Sequence, residues 1–214
     1  KDWHFAHRGK KTYGSTEEPC SYSFLVSVAL MSKQLLEGAE SLALPPYPIT
    51  VHYFDNETFC TYREDRFVTP ASTIKVERCE VESTVNGFPA DVVCYVQGVP
   101  LVIYLTHRER PLPVEPERFE GSRIGVVEID VGGVHSAFAD VGDIGGYRKA
   151  LERFLFSDTE GKCWVYHPRE EAIRAEAEKA AIARAAKAET PIAAEVEPVT
   201  APPSPSPARE RQRV

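Results

Sequence analysis

Two apolar runs set back to back restrict this chain more than any other feature. Ala90–Val96 reads ADVVCYV and Pro100–Thr106 reads PLVIYLT, and the tight turn Gln97-Gly98 lies near their junction. Strands apolar at every position, not only at alternate ones, are buried on both faces. A third run, Ile124–Val131 (IGVVEIDV), has the same character. A chain with three such strands needs a layer on each side of its sheet, which predicts a mixed α/β architecture.

The flanking segments supply those layers. In Ser21–Glu37, residues Phe24, Leu25, Val28, Met31, Leu35 and Leu36 recur at helical spacing, and Gly38 stops the run. Ile49–Phe54 and Glu57–Tyr62 are β-rich and joined through Asp55-Asn56, as in a hairpin. Ile74–Glu82 alternates in part, and Asn86-Gly87 marks a turn. Gly146–Phe156 fits a short helix with Leu151, Phe154 and Leu155 inward, and Lys162–His167 fits a closing strand. The glycines at 142, 145 and 146 lack a strand–GxGxxG–helix setting, so they form a loop and not a nucleotide fingerprint.

Four segments follow: 1–20, a His/Cys-containing lead read as the end of a truncated upstream module; 21–167, the folded domain; 168–189, an Ala-rich solvated helix; and 190–214, a Pro/Ser-rich tail expected to be disordered. Six of the 17 prolines fall in that tail. The chain's net charge is −7, and residues 168–214 hold eight basic and eight acidic groups, so the surplus acid lies in residues 1–167. This disfavours a generic basic nucleic-acid coat. No apolar run is long enough to span a membrane. Five cysteines, none in a CxxC pair and with no export signal ahead of them, are expected as reduced thiols in the cytoplasm.

Asp91 is the acid best placed for chemistry, at the start of an apolar strand. Two readings stand: a Mg²⁺ ligand serving phosphodiester hydrolysis, or a turn residue satisfying backbone donors. Glu82, nine residues earlier, is the candidate partner for such a cation, and Glu109 is a second. His107 is either a general base or phosphate contact, or a partly buried strand-end histidine. Asp130 ends a strand and reads as a loop cap. His4, His7 and Cys20 offer three irregularly spaced zinc ligands, against a plain reading in which Trp3 and Phe5 anchor the segment. Lys1, Arg8, Lys10 and Lys11 form a small basic patch suited to phosphate.

The ordered series NGFPADVVCYVQGVPLVIYLTHRER and IGVVEIDV resembles the core of competence protein CoiA-like nuclease domains. The WHFAH opening, Cys20, the helix ending Met31-Ser32-Lys33-Gln34, and KCWVYHP at 162–168 are similar to that family too. The resemblance implies a restriction-endonuclease-like αβββαβ core of the PD-(D/E)xK type, with an added β-hairpin and a C-terminal helix. It implies DNA as partner, with other DNA-processing proteins, in bacterial natural transformation. Asp91 matches the first acid of the motif. The second is missing, because Leu101–Leu105 contains no carboxylate and no Lys follows. Pro111, Pro113 and Pro116 crowd a connection that holds a helix in the family. Two functions therefore remain: a Mg²⁺-dependent deoxyribonuclease fold with a degenerate site built on Asp91, Glu82 and His107, or a non-catalytic interaction module.

Overall fold

The computed structural model describes residues 21–139, 141 and 144–188. Among the described residues four α-helices and eleven strands follow in this order: α1 (Ser21–Glu37), β1 (Ser41–Leu44), β2 (Tyr47–Asp55), β3 (Cys60–Thr69), β4 (Ser72–Lys75), β5 (Arg78–Val81), β6 (Thr84–Val85), β7 (Phe88–Pro89), β8 (Val92–Val96), β9 (Val99–Thr106), β10 (Gly125–Asp130), α2 (Val134–Phe138), α3 (Ile144–Phe156), β11 (Lys162–Tyr166) and α4 (Glu170–Ala188). The architecture is mixed α/β, as the buried strands require.

The apolar runs form the centre of a five-stranded sheet ordered β11-β10-β9-β8-β5. β8 and β9 pair antiparallel through Gln97-Gly98, and both turn residues have positive φ, 51° and 72°. That backbone twist matches a two-residue hairpin, and Gly98 adopts it without strain. β10 lies parallel to β9, while β11 returns antiparallel on β10. One sheet face packs Val92, Leu101, Ile103, Leu105 and Val127 against α1, α3 and β1. The other packs Val93, Val102, Tyr104 and Val126 against Phe119. Phe119 belongs to a short 3-10 turn (Pro116–Phe119) in the β9–β10 connection. The three prolines thus replace a crossover helix with an irregular strap.

Several elements differ from the expected ones. Ile74–Glu82 is not one strand. β4 pairs with β1, whereas β5 joins the main sheet, and the chain switches at Val76, whose N–H bonds Glu40. β1 was not foreseen, because SLAL is too short to show a period. The β2–β3 hairpin runs further than its apolar residues suggest, into the polar CTYREDRFVT. Nor is the terminal helix solvated all round. Ala177, Ala181 and Ala185, one turn apart, are buried, and α4 packs on β2 and β3. Glu64 of β3, which also pairs with Arg66, accepts a 2.7 Å bond from Arg184, and Glu170 accepts one of 2.7 Å from Tyr47.

Lys162 joins three layers. Its buried ammonium donates to the carbonyls of Ala43 (2.8 Å) and Leu155 (2.7 Å), and burial pulls its pKa down to about 8.

The thiol expectation needs correction at two positions. Cys79 and Cys94 face each other in the β5–β8 register and are disulfide-bonded, whereas Cys60 and Cys163 are free and exposed. Cys20 lies outside the described residues. No described helix is long and apolar enough to cross a membrane.

The disulfide joins residues 15 apart and fastens edge strand β5. Closing a loop of that size stabilises by about 3 kcal/mol in the chain-entropy account. Urea unfolding with and without reductant should show a loss of that order, and Cys79→Ser/Cys94→Ser should no longer respond to reductant. Identical midpoints with and without reductant would contradict the link.

Candidate functional site

Asp91 sits where the ladder between β5 and β8 runs out. The Glu82 N–H bonds the Asp91 carbonyl at 2.8 Å, and the Ala90 N–H bonds Ser83 at 2.9 Å. This fixes the Asp91 backbone and turns its side chain inward, where only 4% of it is exposed. The carboxylate lies at the C-terminal end of β9, and the Leu105 N–H donates to Oδ2 at 2.9 Å.

Charge reaches it from two other elements. Past β9 the chain makes a tight turn in which His107 and Arg110 exchange backbone bonds of 3.1 and 2.8 Å. The turn folds Arg110 back over the strand end. Its Nη1 donates to Asp91 Oδ2 and its Nη2 to Oδ1, both at 2.8 Å, while Nη1 also reaches the Leu105 carbonyl at 2.6 Å. From α1, Lys33 Nζ sits 2.9 Å from Asp91 Oδ1 and 3.3 Å from Glu82 Oε1.

An ionised carboxylate has about four lone-pair sites. Here Oδ1 takes Lys33 and Arg110, and Oδ2 takes Leu105 and Arg110. All are filled by protein donors. Burial pushes the Asp91 carboxyl pKa up, but Arg110, the Leu105 N–H and Lys33 outweigh it and hold it below the usual 3.8. The same contact raises Arg110 above its ordinary value, against a smaller effect of burial.

The other expected residues are placed unequally. Glu82 does share a cation with Asp91, but that cation is the Lys33 ammonium. Glu82 itself is 70% exposed, on a backbone with φ 51°. His107 is buried, and its Nδ1 accepts the Glu109 N–H at 3.3 Å. Among the described contacts, no hydrogen bond joins His107, or the Glu109 side chain, to Asp91. Asp130 caps its own loop, accepting from Gly132 N at 2.8 Å. His4, His7 and Cys20, with the basic patch at 1–11, lie outside the described residues.

Neither Lys33 nor Arg110 was singled out from sequence as a partner of Asp91. Each is remote along the chain, and only the helix packing and the 107–110 turn bring them together. Thr106 and Glu128 were missed as well: the Thr106 hydroxyl donates to Glu128 Oε1 at 2.6 Å, across the parallel β9–β10 pair.

Among the described residues no three His, Cys, Asp or Glu side chains converge as a metal-binding group. The Asp91 centre does not fit Mg²⁺, because a hard cation needs free carboxylate oxygens and these are already bonded. No family model, curated protein or solved structure matches the chain.

Replacing Asp91 by Asn keeps the shape but turns an amide donor towards cationic donors. Asp91→Asn should cost about 2 to 4 kcal/mol, the lower end reflecting Arg110's partial exposure. The sign of the pH dependence follows from the lowered pKa. The stabilisation is complete above the unfolded carboxyl's pKa of about 4, and disappears as pH falls through the lower folded value. Urea titrations should therefore show the gap between wild type and D91N narrowing below pH 4. A constant gap down to pH 2, or none at pH 7, would contradict the ion pair.

Proposed function

We propose that this chain is a CoiA-like protein of DNA processing, with a restriction-endonuclease-like core that binds or handles DNA without cutting it at Asp91. The saturated Asp91 carboxylate carries the non-cutting half of this reading. A Mg²⁺ nuclease needs an acid that can give oxygens to the metal and a second acid beside it. Here the strand that should supply the second acid is Leu-Val-Ile-Tyr-Leu, and Lys33 stands between Asp91 and Glu82.

Support for the DNA half comes from the ordered resemblance along residues 3–170, and from an element order compatible with the family core. α1 precedes the antiparallel set β5, β8 and β9, and β10 then lies parallel to β9. The departure is the strap in place of the helix before β10. A cytoplasmic setting belongs to the same reading.

A second reading, a protein-interaction module on the same fold, has its own observation. The β2–β3 hairpin exposes Phe54, Phe59 and Phe67 at 49, 79 and 64%. Large rings left in water on one hairpin are the kind of residue that docks on partners.

The test is cleavage of single- and double-stranded DNA with Mg²⁺ or Mn²⁺, beside gel-shift binding. The expected result is DNA binding, with no cleavage by wild type above that of Asp91→Ala. Cleavage lost on Asp91→Ala would overturn the non-cutting reading, and no binding to either form of DNA would favour the interaction module.

A further inference from the structure

A cavity of about 600 Å³ opens at the far end of the sheet from Asp91, where β8 turns into β9. Its floor is apolar, built from Leu44, Ile74, Val96 and Leu101, with Trp164 as a wall. The indole is held in place on two sides. Its N–H donates to the Pro45 carbonyl at 2.9 Å, and Tyr47 stacks on it with ring centroids 6.3 Å apart. This wall exists before any ligand arrives, which lowers the cost of binding.

The lining contains two arginines, Arg123 and Arg169, and no acid. Among the described residues neither arginine has a carboxylate partner, while eight other arginines are ion-paired. Glu170, adjacent to Arg169, is committed elsewhere, accepting from Tyr47 Oη at 2.7 Å and Arg174 at 2.7 Å. His167 adds a neutral donor. Burial first, then the charge of Arg169, pushes its pKa down to about 4, and its Nδ1 accepts the Arg169 N–H at 3.1 Å. The ring proton is then on Nε2.

An apolar floor beneath two uncompensated guanidinium groups selects for one kind of molecule. We propose that this cavity binds a small amphiphilic organic anion, with its apolar body against Leu101 and Trp164 and its carboxylate or phosphate head on Arg123 and Arg169. Guanidinium groups pair with either head through charge-assisted hydrogen bonds. Binding here is independent of the state of Asp91.

Calorimetric titration of the full chain with octanoate and octyl phosphate tests this, with octylamine as the cationic counterpart. The expected result is saturable binding of one equivalent of at least one anion, accompanied by a change in tryptophan emission, and none of octylamine. Arg123→Gln/Arg169→Gln should weaken binding about tenfold or more, the loss expected from removing a charge-assisted contact. Both arginines are exposed, so near-ultraviolet circular dichroism should show the variant folded; Arg123→Lys/Arg169→Lys, which keeps the charge, should retain part of the affinity. The proposal is overturned if neither anion binds saturably at millimolar concentration, if octylamine binds equally well, or if the folded Gln variant binds like wild type.

Discussion

A carboxylate placed in a protein interior has to be neutralised, and the way Asp91 is neutralised organises one end of this molecule. Its four acceptor positions draw in the end of β9, the 107–110 turn and the side of α1. Removing any one donor leaves a buried charge short of a partner, which costs more than the bond itself contributes. The position that would make Asp91 a metal ligand therefore serves to hold the helix layer and the strand ends in register. Lys33 extends the arrangement to Glu82, so these two acids share one ammonium.

The rest of the fold follows from a sheet that is apolar on both sides. One face takes α1 and α3, which need only ordinary amphipathic stripes. The other is covered by the proline-bearing strap, through Phe119 and its neighbours Phe88 and Tyr166. A strap anchored by one fully buried aromatic ring can follow a path that a helix with three prolines cannot. The β2–β3 hairpin and α4 form a separate layer, joined by small side chains and by the Arg184–Glu64 ion pair.

Elements with a strong period were legible in the sequence. The expected helix at Ser21–Glu37 and the turns at Gln97-Gly98 and Asn86-Gly87 occur where the residue pattern put them. Elements defined by pairing were not. β1 exists because β4 lies beside it, and the break between β4 and β5 reflects two different partners. The buried face of α4 was hidden because it is made of alanines, which an apolar-stripe search built on large residues passes over, while the large Ile182 is 42% exposed. At the site, Asp91, Glu82 and His107 were legible as single residues. Their grouping was not, since Lys33 and Arg110 lie 58 residues before and 19 residues after Asp91 and nothing in their local sequence ties them to it. The −7 charge is equally uninformative about the site, where two cations surround one buried acid.

The central claim is that protein cations fully occupy the Asp91 carboxylate. Carbon-13 NMR of the aspartate carboxyl groups, titrated from pH 7 to pH 2 and assigned with Asp91→Asn, measures it directly. The account predicts that Asp91 titrates below the ordinary 3.8 and that its signal is unmoved by Mg²⁺. Titration at or above that value, or a carboxyl signal shifted by Mg²⁺ at neutral pH, would contradict it.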